Sequence, residues 1–288
     1  MKRCLECHAT FEAAGWTCPK CGWEPEHRGG VLAFAPDADD GFEPSSFPRL
    51  AEVEATNFWF RSRNRLIVWA IGRYFPAALS MFEIGCGTGF VLSGIRAARP
   101  ELTLWGSDIF VEGLAFARQR VPDATLFQMD ARSIPFAGEH DIIGAFDVLE
   151  HIDDDDAALD EIHRACKAGG GVILTVPAHP WLWSASDVYA HHKRRYRRGE
   201  LEAKLQRAGF DVIRSTGFTL VLLPLLAALR RTQRNVATFD PMSGLELNRV
   251  INAGLESILA IERSWLRAGV SLPLGSSRLV VARKRVQP

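Results

Sequence analysis

The chain has 288 residues, is 47% hydrophobic, and carries 34 basic against 34 acidic side chains. That length suits one full α/β domain with a small appendage, and the ordinary apolar fraction excludes a disordered or collagenous chain. A formal net charge of zero excludes a global field that would draw the protein to nucleic acid or to anionic membranes. Met1-Lys2-Arg3 runs into Cys4 rather than an apolar stretch, and the longest strongly apolar run, Phe218 to Leu229, is broken by Pro224. The expectation is a cytoplasmic chain without a secretory leader or a spanning helix.

In chain order, the cysteines come first. Cys4, Cys7, Cys18 and Cys21 form two C-x-x-C pairs with ten residues between them. Each pair can place two thiolates on one tetrahedral zinc ion at a tight knuckle, and Pro19 and Gly22 suit such turns. Residues 1–36 are therefore expected to be a zinc-ribbon domain that takes most of its folding energy from the metal. A reducing compartment opposes the alternative of two disulfides. His8 stays outside the ligand set because four thiolates already close the shell. Gly29 to Pro36 reads as the closing strand of the ribbon. Residues 37–51 read as a linker, because Asp37 to Pro48 mixes acids, prolines and serines. Cys86 and Cys166 read as small buried residues, the second in a helix.

From Glu52 to Phe75 the pattern is helical, with Leu66, Trp69, Ala70 and Arg73 on one face and Pro76 as the stop. Met81-Phe82-Glu83-Ile84 then leads into Gly85-Cys86-Gly87-Thr88-Gly89. A second apolar run closes on Asp108, 19 positions past Gly89. This reads as strand, tight glycine turn, helix, strand, carboxylate. Glycines let the backbone turn sharply against a ligand, and a carboxylate at the second strand's end can accept both hydroxyls of a ribose. The spacing is G-x-G-x-G, whereas a pyrophosphate site usually shows G-x-G-x-x-G. Glu83 would repel pyrophosphate but suits a cofactor with a cationic sulfonium and an amino group. The expected cofactor is S-adenosylmethionine.

The later elements alternate: a helix over Val111 to Arg120, strands over Ala124 to Met129 and Asp141 to Phe146, and a helix over Asp153 to Ala165. The run Asp153 to Asp156 is expected to cap that helix by offsetting its dipole. A helix over Arg198 to Ala208 and strands over Phe210 to Ser215 and Ser277 to Arg283 follow. This rhythm implies an α/β fold with a doubly wound sheet and its ligand at the C-terminal strand ends.

The segment from about Glu52 to Lys284 resembles class I S-adenosylmethionine-dependent methyltransferases. Glu83, Gly85, Gly87 and Gly89 fit the first motif of that family, and Asp108 fits its ribose-binding acid, with Ile109 beside it. Met129-Asp130-Ala131 fits the third strand's end, where Asp130 and Ala131 would face the adenine. Asp147, in Phe146-Asp147-Val148-Leu149-Glu150-His151-Ile152, fits the segment beside the methyl group and the substrate. Gly169-Gly170-Gly171 and Val172 to Pro177 fit the turn and fifth strand. The segments Phe58-Trp59-Phe60-Arg61-Ser62-Arg63-Asn64 and His192-Lys193-Arg194-Arg195-Tyr196 look like signatures of a bacterial branch of the family. The resemblance implies a Rossmann-like methyltransferase domain over residues 52–288, with a helical lid or insertion over about 218–275.

Methyl transfer is an in-line displacement at an activated carbon, so the protein must align the reactants and exclude water. It needs a base only where the acceptor keeps its proton, and histidine suits that task. His192 and His151 are the candidates. Trp59, Asp187, Arg194, Arg195 and Tyr196 are the candidate substrate contacts, because arginine forks pair with carboxylate or phosphate. The apolar stretch beyond Phe218, with basic flanks, reads as a pocket lid or a homodimer contact, or alternatively as a peripheral membrane contact that collects a lipid-linked acceptor. The favoured function is methylation, at oxygen, of a small-molecule or lipid- or sugar-linked metabolite, anionic in one version. The alternative is an RNA methyltransferase gripping RNA with the ribbon. Against it, Lys2, Arg3, Lys20 and Arg28 are balanced by Glu6, Glu12, Glu24 and Glu26. A third reading, a binding module with a vestigial cofactor site, is opposed by the intact glycine motif and both acids.

Overall fold

The computed structural model describes residues 1–36, 43–232 and 246–286. Part of the expected linker and part of the expected insertion lie outside the described residues. In chain order the elements are β1 (Lys2–Arg3), β2 (Thr10–Phe11), β3 (Glu26–Arg28), β4 (Val31–Ala33), α1 (Phe47–Val53), α2 (Phe58–Tyr74), β5 (Ser80–Ile84) and α3 (Phe90–Ala98). Then come β6 (Thr103–Asp108), α4 (Val111–Arg120), β7 (Thr125–Gln128), β8 (His140–Phe146), α5 (Asp155–Ala165) and β9 (Cys166–Pro177). The last are α6 (Ala185–Tyr189), α7 (Glu200–Arg207), β10 (Phe210–Phe218), α8 (Leu223–Thr232), α9 (Arg249–Arg267) and β11 (Ser277–Lys284).

One nine-stranded sheet runs β10-β11-β9-β8-β5-β6-β7-β4-β3. Strands β5 to β9 are parallel to one another, and β11 runs antiparallel between β9 and β10. The sheet is covered on both faces, so its central strands are mostly apolar and divide their side chains by alternation. Met81, Ile142 and Ile173 join Leu66, Ile71, Leu92 and Leu114 in one core. Phe82, Ile143 and Leu174 join Leu159, Ile162, Leu201 and Leu205 in the other. The chain leaves β5 toward β6 and β7, then returns to pair β8 against the other side of β5. That reversal opens a crevice at the strands' C-terminal ends.

Three local expectations change. The single helix expected from Glu52 to Phe75 is two, because Asn57 is extended and its side chain accepts the Trp59 amide at 2.8 Å as the N-cap of α2. Cys166 opens β9 instead of lying in a helix, since it already pairs with His140 across the sheet. Gly169 to Gly171 belong to the same strand rather than to a turn before it. The Asp153 to Asp156 run does begin a helix: Asp154 caps α5 by accepting the Ala157 amide at 3.0 Å.

The cysteine-bearing segment docks on the sheet edge. Strand β4 pairs in parallel with β7, Leu32 against Phe127 and Ala33 against Gln128. Trp16 packs edge-on against Phe34, Phe127 and Phe136. Among the described residues, no helix is long and apolar enough to cross a membrane.

Candidate active site

After β5 the chain turns through three left-handed glycines, with φ of +67° at Gly85, +50° at Gly87 and +75° at Gly89. A Cβ on Gly85 would lie 2.4 Å from the Val148 side chain, and one on Gly89 2.8 Å from the Ala117 backbone. The loop is therefore closed to larger residues by conformation and by space. At the end of β6, Asp108 Oδ2 accepts the Gly87 amide at 2.8 Å and Oδ1 accepts the Phe110 amide at 3.0 Å. A carboxylate offers about four lone-pair sites, so two hydroxyl donors can still be accommodated. Burial pushes the Asp108 carboxyl up to about 6 against the pull of those amides. Glu83 is 2% exposed and its Oε2 has no hydrogen-bond partner. Burial raises its carboxyl well above the usual range, with Arg63 opposing. A sealed, underpartnered carboxylate beside a glycine loop fits a cationic ligand group.

The half-buried Ile109 follows Asp108, and its carbonyl accepts Gln128 Nε2 at 3.1 Å. At the end of β7, Ala131 is buried, and Asp130 takes the Arg132 guanidinium at 2.6 Å. Burial would raise the Asp130 carboxyl, but the Arg132 hydrogen bonds hold it below its ordinary value. Beyond β8, Asp147 adopts a left-handed φ of +59° and accepts a hydrogen bond from Arg63. Arg63 lies 4.8 Å over the Trp59 ring, so one turn of α2 delivers both an aromatic and a cation to the cleft. Trp59, Arg63, Phe218, Thr219, Leu259 and Glu262 share a small cavity under α9. Sequence reasoning did not single out Arg63 as a site residue. It also missed the fastening of α1 over the glycine loop, where Glu54 accepts from Thr88 and from Arg120, both at 2.6 Å.

The two candidate histidines come together. Their rings meet edge to face with centroids 4.8 Å apart. His192 Nδ1 lies 3.0 Å from Asp187 Oδ1, and its Nε2 lies 4.0 Å from Glu150 Oε1. Glu150 is fully buried, and neither of its oxygens has a hydrogen-bond partner. Burial, then the nearby His192, pushes the His151 imidazole down to about 3.

The basic segment is largely spent on internal acids. Asp187 is 1% exposed and receives Arg195 Nε at 2.7 Å and Arg230 at 2.9 Å. Burial would raise its carboxyl, but His192 and Arg195 hold it far below the usual range. Arg195 also donates to the Ala178 carbonyl at 3.1 Å. Tyr196 is fully buried, with its hydroxyl donating to Asp155 at 2.7 Å. Arg194 pairs with Asp155 and reaches the Asp153 carbonyl at 2.7 Å. These side chains brace the loop that carries His192 rather than pointing into open space. Asp187, eight positions before Arg195, was a partner the local charge pattern offered, whereas Asp155, which takes Arg194 and Tyr196, lies some 40 positions upstream, beyond the reach of local charge counting.

At the other edge of the sheet, the four N-terminal cysteines converge. Cys4 and Cys21 sulfurs are 3.6 Å apart, as are those of Cys7 and Cys18, and the four lie within 4.8 Å of one another. Thiolates ~2.3 Å from one tetrahedral zinc stand ~3.8 Å apart, so the set fits a zinc ion.

A family model described as a methyltransferase domain matches residues 54–215. A probable S-adenosylmethionine-dependent methyltransferase of Mycolicibacterium smegmatis is 26% identical over 181 residues, covering 60% of this chain and 69% of that protein. A ubiquinone/menaquinone biosynthesis C-methyltransferase of Burkholderia cenocepacia is 31% identical over 118 residues. That match covers 38% of this chain and about half, 49%, of the relative's length. Among solved structures, Haemonchus contortus phosphoethanolamine N-methyltransferase 2 in complex with S-adenosylmethionine aligns with a TM-score of 0.56 at 19% identity. The alignment covers 85% of this chain and 58% of that one. A Thermotoga maritima methyltransferase aligns with a TM-score of 0.52 at 16% identity, covering 84% and 95%. These structural likenesses establish the Rossmann-like methyltransferase fold.

Proposed function

This chain belongs to the methyltransferase-domain family, and on that premise we propose that it methylates a small-molecule or lipid- or sugar-linked metabolite at oxygen. When bound, S-adenosylmethionine supplies a methyl group on a cationic sulfur, a good leaving group. Gly85, Gly87 and Gly89 let the backbone approach the cofactor, and Asp108 accepts the ribose hydroxyls beside Ile109. Ala131 and the end of β7 face the adenine. The observation that carries the reading is Glu83, whose buried, partnerless oxygen calls for a cationic group next to the glycine loop. Asp147, held by Arg63, borders the acceptor side.

His192 is the group that positions the acceptor or takes its proton. Its Nδ1 is tied to Asp187, which fixes the ring and leaves Nε2 for the site. His151, kept neutral by burial, shapes the same wall. Asp187, Arg194, Arg195 and Tyr196 hold the loop, while Trp59 closes the cleft from α2. The outer face of α9, with Val250, Ile251, Ile261 and Trp265 exposed, suits contact with a lipid-linked acceptor. The relative named as a ubiquinone/menaquinone C-methyltransferase supports a small-molecule acceptor. Cys4, Cys7, Cys18 and Cys21 hold a structural zinc ion that orders the ribbon.

The test is transfer of labelled methyl from S-adenosylmethionine to a panel of hydroxylated metabolites, lipid-linked sugars and RNA. Label in the first two classes supports the reading. Label confined to RNA overturns the substrate class.

A further inference from the structure

We propose that Glu150, His151 and His192 form a binding site for a divalent transition-metal ion beside the cleft, distinct from the four-cysteine centre. The three side chains each offer one ligand atom, all within 4.8 Å of one another. They come from two elements that the backbone clamps together. Glu150 and His151 lie in the short helical turn after β8, and His192 lies in the loop after α6. The Lys193 amide donates to the Glu150 carbonyl at 2.7 Å, joining loop to turn.

Glu150 is the strongest indication. Its side chain is fully buried, yet neither oxygen has a hydrogen-bond partner. The closest candidate, His192 Nε2, stands 4.0 Å away, too far for a hydrogen bond. Such a gap suits two ligands sharing one ion, since bonds of ~2.0–2.2 Å to each allow a span of up to ~4 Å. Burying a carboxylate without a hydrogen-bond donor is costly. Arg63 and Arg195 act on Glu150 only through space, and a bound metal ion would remove that cost.

His192 is already oriented by a carboxylate. Metal-binding histidines usually give their other ring nitrogen to a carboxylate or a backbone carbonyl, which fixes the tautomer. His192 turns Nδ1 to Asp187 Oδ1 at 3.0 Å, leaving Nε2 toward Glu150. The buried Nδ1 of His151 has no hydrogen-bond partner and is free to ligate.

Two imidazoles and one carboxylate favour Zn²⁺, Mn²⁺ or Fe²⁺ over Mg²⁺ or Ca²⁺, which prefer all-oxygen shells. Three protein ligands leave coordination positions open, and a hydroxyl bound there would ionise at lower pH. With an ion bound, His192 Nε2 would serve as a ligand, and its part in the reaction would be to position the metal-bound acceptor rather than to take its proton. This purpose, activation of an oxygen acceptor, rests on the methyltransferase reading. Occupancy of the site does not.

The experiment uses the full chain with zinc loaded in the cysteine ribbon and loosely bound metal removed. Titration with Co²⁺ is followed by visible absorption, because cobalt on nitrogen and oxygen lacks the strong thiolate charge-transfer band of a cysteine site. The expected result is one further equivalent without that band, lost in both Glu150→Gln and His192→Gln. Uptake of no cobalt beyond the ribbon, or equal uptake by wild type and both variants, overturns the site. S-adenosylhomocysteine titrations on the same samples report folding and separate the two proposals. Cofactor-product binding without cobalt removes the metal site and leaves the methyltransferase reading standing. Cobalt uptake without cofactor-product binding keeps the site and removes its assigned purpose.

Discussion

The Gly87 amide donates to Asp108 Oδ2 at 2.8 Å, so the glycine loop after β5 and the end of β6 form one rigid seat. The same carboxylate that braces the loop is the one proposed to receive a ribose. On that proposal, loop conformation and ligand affinity are coupled through a single side chain.

Replacing Asp108 by asparagine should weaken S-adenosylhomocysteine binding by about 10–100-fold, the value of hydrogen bonds to a charged acceptor. The affinity should also carry a pH signature. The folded carboxyl sits at about 6 against an ordinary 3.8, so folding favours the protonated form. Its stabilising contribution is full below 3.8 and is lost as pH rises through about 6. Ribose hydroxyls donate to the ionised form, so affinity should rise between pH 5 and pH 7. Calorimetry across that range should show the step in wild type and its absence in Asp108→Asn.

His192→Ala should lower turnover by roughly 10²-fold or more, the usual weight of a positioned acid–base group. Affinity for S-adenosylhomocysteine should stay nearly unchanged, because His192 lies on the acceptor side. Steady-state kinetics and calorimetry on one preparation check this. An equal loss of cofactor affinity in the Asp108 and His192 variants contradicts the division of roles.

His140 makes a prediction about stability. It is fully buried between Phe82, Trp105 and Phe136, with neither ring nitrogen hydrogen-bonded. Burial, then Lys167, lowers its pKa from 6.5 to about 3. The unfolded chain thus binds the proton more tightly, and stability is full above 6.5 and falls as pH drops toward 3. The slope should approach about 1.4 kcal/mol per pH unit. In urea melts from pH 7.5 to pH 5, His140→Phe should lose less stability than wild type. Parallel losses in the two proteins contradict the assignment.

Chelation of the cysteine centre should reach the methyltransferase sheet, because β4 of the ribbon pairs with β7. We expect zinc removal to lower the melting temperature of the whole chain and to alter the fluorescence of Trp16, which packs on Phe127 and Phe136. A chelated protein that melts at the same temperature, with unchanged Trp16 emission, contradicts the docking.

The geometry of the proposed cofactor half of the site was legible in sequence because it is local. Glu83, the three glycines and Asp108 lie within one strand-turn-helix-strand unit, and their spacing reports their geometry directly. The bounds of α4 and the strand over Asp141 to Phe146 were legible for the same reason, through a strong pattern between clear stops. The acceptor side was not, since it is assembled across long separations. Pairing of the arginines after His192 with nearby Asp187 could be read from the sequence, but Arg194 finds Asp155 only in the folded chain, and Glu150 looked like one more polar residue after a strand. Its importance lies in being buried without a partner, which no spacing encodes. Likewise, nothing in Gly29 to Pro36 announced that its strand would extend the main sheet alongside β7.

The central claim is that Glu83, the glycine loop and Asp108 seat an adenosyl sulfonium. Isothermal titration of the folded, zinc-loaded chain with S-adenosylmethionine and with S-adenosylhomocysteine tests it most directly. The account predicts saturable binding of both at one site per chain, with the cationic donor losing more affinity than its neutral product in Glu83→Gln. Absence of binding by either compound would contradict it.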